Sequence, residues 1–311
     1  MRVIFLGTPD FALPSLHALI ESPYGVAAVF TQPDRPAGRG QRLHASPVKV
    51  LAQSEGIPVF APERLRDEDN RRIVERLAPD FIVVVAYGQI LPAWFLSAAR
   101  IAPVNVHGSL LPRYRGAAPV VWTLINGDPV TGVTTMWMDE HLDTGDILLR
   151  EELPVPDCMT AGELAAELAR LGASLVVPTL EGLRSGTVVR TPQDHSRATL
   201  APRIDKSMGR IDWRRPAPEI HNLVRAFNPW PLAYTEFRGV KLQILRSQPV
   251  PHRESVEQPA GTVVGVNGEA LRLSCGGGTS LDLLRVQLAG RGAVSGREFV
   301  SGARLHAGAV L

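Results

Sequence analysis

Cysteine is nearly missing from these 311 residues. Cys158 and Cys275 are the only two, and they lack metal-ligand spacing. That argues against a zinc-type cluster or a disulfide framework and fits two reduced thiols in a cytosolic protein. No metal is therefore expected. Lysine is almost as scarce, three against 30 arginines. Arginine suits phosphate recognition, although a genomic compositional bias explains the same ratio. No apolar run reaches 18 residues, so no membrane span is expected. The N-terminus, "MRVIFLGTPD", lacks a long apolar region and a small-residue cleavage site, which points to a cytoplasmic protein. Nucleotide signatures are missing too. The first turn, "FLGTPDF" (5–11), offers Gly7 alone where a dinucleotide fold shows G-x-G-x-x-G, and it is no Walker loop.

What is present is an ordinary globular composition, 45% hydrophobic and 21% charged. The length exceeds most single cores and predicts two domains. Net charge is +2 but uneven: residues 1–208 carry 20 Lys+Arg against 23 Asp+Glu, and residues 209–311 carry 13 against 8. The basic excess of the last third suggests a polyanionic partner, although many proteins with such an excess touch no nucleic acid. In the first half, apolar runs at 2–7, 26–31, 81–88, 104–108 and 132–139 read as strands. Helical patterns lie at 11–22, 47–55, 70–77 and 117–126. Strands that are apolar throughout imply a Rossmann-like parallel sheet with helices on both faces. "TAGE" (160–163) is a capping box opening a helix towards Leu183, with a break expected near Gly172 or Pro178. After Gly186 the periodicity fades. Short strand-like runs at 233–237, 240–246, 261–266, 270–275 and 280–288 read as a small β-barrel of OB-like type. The expected boundaries are 1–189 for an α/β domain, 190–208 for a linker and 209–311 for the barrel.

Three segments carry candidate chemistry. "TQPDRPAGRGQRLHASPVKV" (31–50) is too long for a tight strand–helix connection and places Arg35, Arg39 and Arg42 among prolines and glycines. It reads either as a solvated surface loop or as a basic finger whose arginine forks hold phosphate. In "VNVHG" (104–108), Asn105 and His107 stand two apart and share one side of a strand. They fall near its carboxyl end, where open α/β sheets bind ligands. An amide can hold an oxyanion and an imidazole can carry a proton, so His107 stays open between a structural and a catalytic role. In "MDEHLDTGDIL" (138–148), Asp143 follows about one strand–helix unit later and could orient the imidazole.

Together, "GTPDFA" (7–12), "TQPDRPAGRG" (31–40), "VVVAYGQILP" (83–92), "NVHGSLLPRYRGAAP" (105–119), "LDTGDIL" (142–148), "GRIDW" (209–213) and "RAFNPWP" (225–231) resemble the methionyl-tRNA formyltransferases. The resemblance covers nearly the whole chain. Asn-x-His, SLLP and the later Asp are shared by folate-dependent formyltransferases generally. The basic loop and the C-terminal region point to the tRNA enzymes. The resemblance implies a catalytic set of Asn105, His107 and Asp143. It implies folate contacts at Ser109, Leu110, Leu111 and Pro112, and a pterin pocket lined by the backbone of Ala86, Tyr87, Gly88 and Ile90. Arg39, flanked by Arg35 and Arg42, matches the loop arginine that engages the tRNA acceptor end. The implied co-substrate is 10-formyltetrahydrofolate, the partner is methionyl-initiator tRNA, and the protein is expected to be a monomer. One departure is His141, where the family usually has a small residue. Arg113 and Arg115 receive no role.

Competing readings are a formyltransferase acting on an amino-sugar nucleotide, a non-catalytic RNA-binding module, and a hydrolase releasing formate from the same folate. The long arginine-bearing loop argues against the first, since a small substrate does not need it. The Asn-x-His, SLLP and Asp constellation argues against the second. The third would turn over without an amine acceptor.

Overall fold

A computed structural model describes residues 1–37, 42–251 and 258–311, with the Ala37 and Arg42 side chains left aside. The strands are β1 (Arg2–Gly7), β2 (Gly25–Phe30), β3 (Arg35–Ala37), β4 (Arg42–His44), β5 (Val59–Phe60), β6 (Phe81–Val85), β7 (Ala102–His107), β8 (Val130–Trp137) and β9 (Ile147–Pro154). Helices α1 (Leu13–Ile20), α2 (Pro47–Ser54), α3 (Glu68–Leu77), α4 (Ala93–Ser97), α5 (Pro119–Ile125) and α6 (Ala161–Ser185) run among and after them. Two compact units result. The first comprises Met1–Pro119, Val130–Pro154 and Ala165–Ala201; the second comprises Val120–Pro129, Val155–Leu164 and Pro202–Leu311.

The first unit is built on a seven-stranded sheet of order β5-β2-β1-β6-β7-β8-β9. Strands β6 and β7 are buried at every position, so both faces are covered and the runs are apolar throughout. On one face Ile4, Leu6, Ala28, Phe30, Ile82 and Val84 meet Leu65, Val74 and Phe95. Phe30 stacks on Phe60 at 5.1 Å and meets Phe95 edge-on at 5.5 Å. The expectation of an all-parallel sheet needs correction. β1, β2, β5, β6 and β7 are parallel, but β8 runs antiparallel to β7, and β9 antiparallel to β8. An apolar run carries no direction. The helix expected to cross from β7 to β8 counts mostly with the second unit, so no βαβ unit is completed there. β9, with exposed Arg150, Glu151 and Glu152, ends the sheet as a charged edge.

Ser46 accepts from the Lys49 amide at 3.0 Å and caps α2, with Pro47 at its first position. Thr160 and Glu163 form the expected capping box for α6. The break expected in α6 does not occur: the helix is continuous through Gly172 and Pro178. At Gly172 an added Cβ would stand 2.8 Å from Val106 Cγ1, so the glycine permits close approach to β7 instead of ending the helix. After Pro178, Thr179 Oγ1 donates to the Leu175 carbonyl at 2.7 Å and supplies a bond within the interrupted turn.

In the second unit, α7 (Ala217–Ala226) precedes β10 (Ala233–Phe237), β11 (Val240–Pro249), β12 (Val263–Asn267), β13 (Ala270–Ser274), β14 (Ser280–Leu288) and β15 (Ala293–Ser295), with α8 (Gly296–Ala303) last. The sheet is antiparallel, of order β10-β11-β14-β13-β12 with β15 also on β14. Its core joins Ile220 and Val224 of α7, Leu242, Ile244, Leu271, Leu273, Leu281, Leu283 and Val286 of the strands, and Phe299 of α8. Where a closed OB-like barrel is expected, β10 and β12 form no ladder with each other among the described residues, and the sheet is open.

The expected linker, 190–208, is divided between the units. Residues 191–201 belong to the first and hydrogen-bond there through Ile147–Thr191 and Arg115–Leu200 bridges. Single bridges leave no periodic trace, which is why this stretch reads as a linker.

Candidate active site

β7 carries Asn105 and His107 on one side of the strand, paired with Met136 and Thr134 of β8. Both side chains are more than nine-tenths buried. The Asn105 carboxamide has no hydrogen-bond partner among the described residues. His107 is held at one nitrogen: Nε2 lies 2.9 Å from the Tyr114 carbonyl. That oxygen can only accept, so Nε2 carries the proton. Nδ1 faces Asp143 Oδ2 at 3.8 Å, within ion-pair range but beyond hydrogen-bond reach.

Asp143 lies on the loop of the β8–β9 hairpin, not on a further strand–helix unit as expected. The loop starts beside β7, where the Met138 amide donates to the Pro103 carbonyl, and is closed by the Trp137 amide on the Asp146 carbonyl at 2.8 Å. Asp143 has φ 53°, a left-handed conformation that needs support in a non-glycine residue. Its Oδ2 accepts from the Gly116 amide at 2.8 Å, and Oδ1 has no hydrogen-bond partner among the described residues. Gly145 stands where an added Cβ would lie 1.7 Å from the Trp137 carbonyl, so only glycine fits. His141 does not join the site. Its backbone is fixed by Asp139 at 3.0 Å and its side chain is exposed.

The loop after β7 is fixed from three sides. Ser109 Oγ donates to the Arg113 carbonyl at 2.6 Å. Thr134 Oγ1 of β8 accepts from the Leu111 amide at 3.1 Å and donates to the Ser109 carbonyl at 2.7 Å. Ser109 and Leu111 are buried in the protein itself, which leaves Leu110 and Pro112 partly exposed. Tyr114, also left-handed at φ 62°, is held by its amide on Thr199 Oγ1 at 2.9 Å, and Arg115 by its amide on the Thr199 carbonyl at 2.9 Å. Thr199 therefore fixes the carbonyl that fixes His107. Thr199 and the Tyr114 carbonyl escaped the sequence reading, because Thr199 sits in an aperiodic segment and a backbone acceptor leaves no side-chain signature.

At the end of β6, Ala86, Gly88 and Ile90 are exposed while the Tyr87 side chain turns into the core. Burial pushes the Tyr87 hydroxyl up to about 12. The Tyr87 carbonyl accepts from Thr8 Oγ1 at 3.0 Å and from Gln32 Nε2 at 3.2 Å. The first turn and the end of β2 thus fix this segment. Beside Gly88, an added Cβ would meet nothing nearer than Gln32 at 3.7 Å. Exposed peptide groups and the bare Ile90 side chain suit the polar edge and apolar face of a flat heterocycle.

The arginine loop is a short hairpin of β3 and β4, with Arg35 opposite His44. Asp34–Lys49 at 2.7 Å and Thr31–Ser46 at 2.7 Å tie its root. Arg35 is exposed. Arg42 lies in the ladder opposite Ala37, and Arg39 lies outside the described residues.

The chain matches the formyl transferase family over residues 1–180 and its C-terminal domain over 203–304. It is 46% identical to a methionyl-tRNA formyltransferase of Acidobacterium capsulatum, over 97% of this chain and 96% of that one. For one from a Synechococcus species the identity is 49%, covering 99% and 97%. For one from Clostridium novyi it is 44%, covering all of both. Among solved structures it resembles in fold a sugar 3N-formyltransferase in the presence of dTDP and 5-N-formyl-THF, at TM-score 0.67 and 18% identity over 94% and 98% of the two chains. It also resembles an N-formyltransferase of Helicobacter canadensis in complex with folinic acid and dTDP-3-aminofucose, at 0.67 and 18% over 91% and 98%. With both units matched along nearly their whole length, the chain belongs to the methionyl-tRNA formyltransferase family.

Proposed function

We infer that the protein transfers the formyl group of 10-formyltetrahydrofolate to the amine of methionine carried on initiator tRNA. The observation that carries this reading is the convergence of Asn105, His107 and Asp143, in a chain similar end to end to relatives named for that activity. The amino-sugar reading shares that constellation, but the sugar N-formyltransferases are similar at 18% identity where the relatives named for the tRNA activity are at 44%, 46% and 49%.

The side chains suit the transfer. The Asn105 N–H is available to the oxygen on which negative charge grows, and His107 Nδ1 is the ring atom left for the reactants. Asp143 has one oxygen fixed by Gly116 and the other available to take the proton of the attacking amine. The folate supplies the activated formyl group. The exposed backbone at 86, 88 and 90, with Leu110 and Pro112, would hold it, while Ser109 and Leu111 keep that loop in shape. The sequence segment that carries Arg35, Arg39 and Arg42 would engage the acceptor end, and the basic excess of residues 209–311 would draw in the phosphate backbone. A monomer in the cytoplasm suffices, and no helix among the described residues is long and apolar enough to cross a membrane.

The test is transfer of labelled formyl from 10-formyltetrahydrofolate to methionyl-initiator tRNA, with elongator methionyl-tRNA and an amino-sugar nucleotide as alternative acceptors. Label on the initiator is the expected result. Label on the sugar alone, or formate released without an acceptor, overturns the reading.

A further inference from the structure

Gln193 is only 5% exposed and lies in a stretch with no regular secondary structure. Its amide is saturated. Nε2 donates to the Asp143 carbonyl at 2.9 Å and to the Gly145 carbonyl at 2.7 Å. Oε1 accepts from Arg115 Nε at 3.1 Å and Nη2 at 2.6 Å. Arg115 is itself buried at 7%, and its Nη2 also meets His195 Nδ1 at 3.2 Å. Next along the chain, Gly116 donates its amide to the Asp143 carboxylate. One side chain thus links the backbone on both sides of Thr144 to the loop whose amide holds the Asp143 carboxylate.

We propose that Gln193 is a positioning residue for the transfer reaction: it holds Asp143 at the imidazole through the hydrogen bonds of a single amide. This rests on the reading of Asp143 as a group of the reaction. Left-handed Asp143 has its carbonyl turned away from any sheet partner, and Gln193 is what receives it. A buried donor or acceptor left unpaired there is costly, so the loop would shift to regain partners. The arginine contributes a second constraint, because its fork accepts a single orientation of the amide. Gln193, Arg115 and Asp143 accordingly act as one unit, with the carboxylate at its reacting end.

Substitution should alter turnover more than binding, since none of the groups involved lies at Ala86–Ile90 or on β3 and β4. For Gln193→Met in the full chain, kcat is expected to fall roughly 10- to 100-fold, the scale of a small misplacement of a reacting group. KM for tRNA and folate should move far less. Gln193→Glu keeps the acceptor for Arg115 but replaces the two donors with an oxygen that repels the Asp143 and Gly145 carbonyls, so it decides the matter where Gln193→Met lowers Tm. The measurement is a cycle with Asp143→Asn. If Gln193 works through Asp143, its substitution adds little to the loss already caused by Asp143→Asn. Multiplying losses, or wild-type kcat in both Gln193 variants while Asp143→Asn is impaired, would overturn the proposal and leave the activity intact. Wild-type kcat in Asp143→Asn would instead overturn the reading of Asp143.

Discussion

His107 is anchored at Nε2 by the Tyr114 carbonyl and turns Nδ1 towards Asp143. With Asn105 as the proposed donor to the developing charge, Asn105→Ala should lower kcat about 100-fold, near 3 kcal/mol. Steady-state kinetics at saturating folate and tRNA checks this, and turnover within a few-fold of wild type would exclude the role. Tyr87 behaves oppositely. Its hydroxyl is buried without a hydrogen-bond partner among the described residues, so it loses hydration with no bond in return. Tyr87→Phe should leave Tm unchanged or raised, and folate affinity unchanged, because the segment is held by its carbonyl through Thr8 and Gln32. Of the proposed site residues, Asn105 and His107 are picked out by their spacing and Asp143 by the family resemblance. The Tyr114 carbonyl was not, because a backbone acceptor in a left-handed turn has no side-chain signature.

At the scale of elements, the β8–β9 hairpin brings Asp143 to β7. The loop closes only because residue 145 has no side chain. Gly145→Ala puts a methyl against the Trp137 carbonyl and should cost roughly 1–3 kcal/mol by forced backbone strain. It should also depress kcat, as measured by thermal melts paired with the formylation assay. The β3–β4 hairpin is expected to act on the other substrate. Arg39→Ala should lower kcat/KM for methionyl-tRNA while folate affinity survives, and equal loss of both would remove the hairpin from tRNA contact. The strands β1, β2, β6, β7 and β8 and the α6 capping box were legible because apolar runs and Thr-x-x-Glu are local features. The direction of β8 and the unbroken course of α6 were not. Direction depends on which neighbour a strand pairs with, and a glycine inside a helix reads as weakness until the strand beneath it is seen.

At the scale of the whole molecule, charge and burial set the response to solution conditions. Phosphate contacts release counterions, so kcat/KM for tRNA should fall as salt rises from about 50 to 200 mM, and a flat response would contradict electrostatic capture. Acid should loosen the second unit before it titrates carboxylates. His221 is buried between the Asp157 carbonyl at 2.9 Å and Ser247 Oγ at 3.1 Å. Burial pushes its pKa below the usual histidine range, with Arg225 adding to the effect. The folded state therefore refuses a proton that the unfolded chain accepts, and stability falls as pH drops below about 6.5. Urea midpoints at pH 7.5 and 5.5 should differ in the wild type and converge in His221→Gln. Glu163, drawn down to about 2 by hydrogen bonds from Thr160 and Arg246, adds stability that is present above the ordinary carboxylate range and lost as pH falls towards 2.

The sequence by itself determined the two-part organisation, the covered sheet, the Asn-x-His pair and the family, because periodicity, spacing and local motifs are written along the chain. Only the tertiary structure decided the mixed sheet, the openness of the second sheet and the division of residues 190–208. It also decided the partnership of Gln193 and Arg115 with Asp143. The Gln193 bonds join groups 48 to 78 residues apart. No local preference encodes such bonds, because each forms only once the rest of the fold has brought its two ends together.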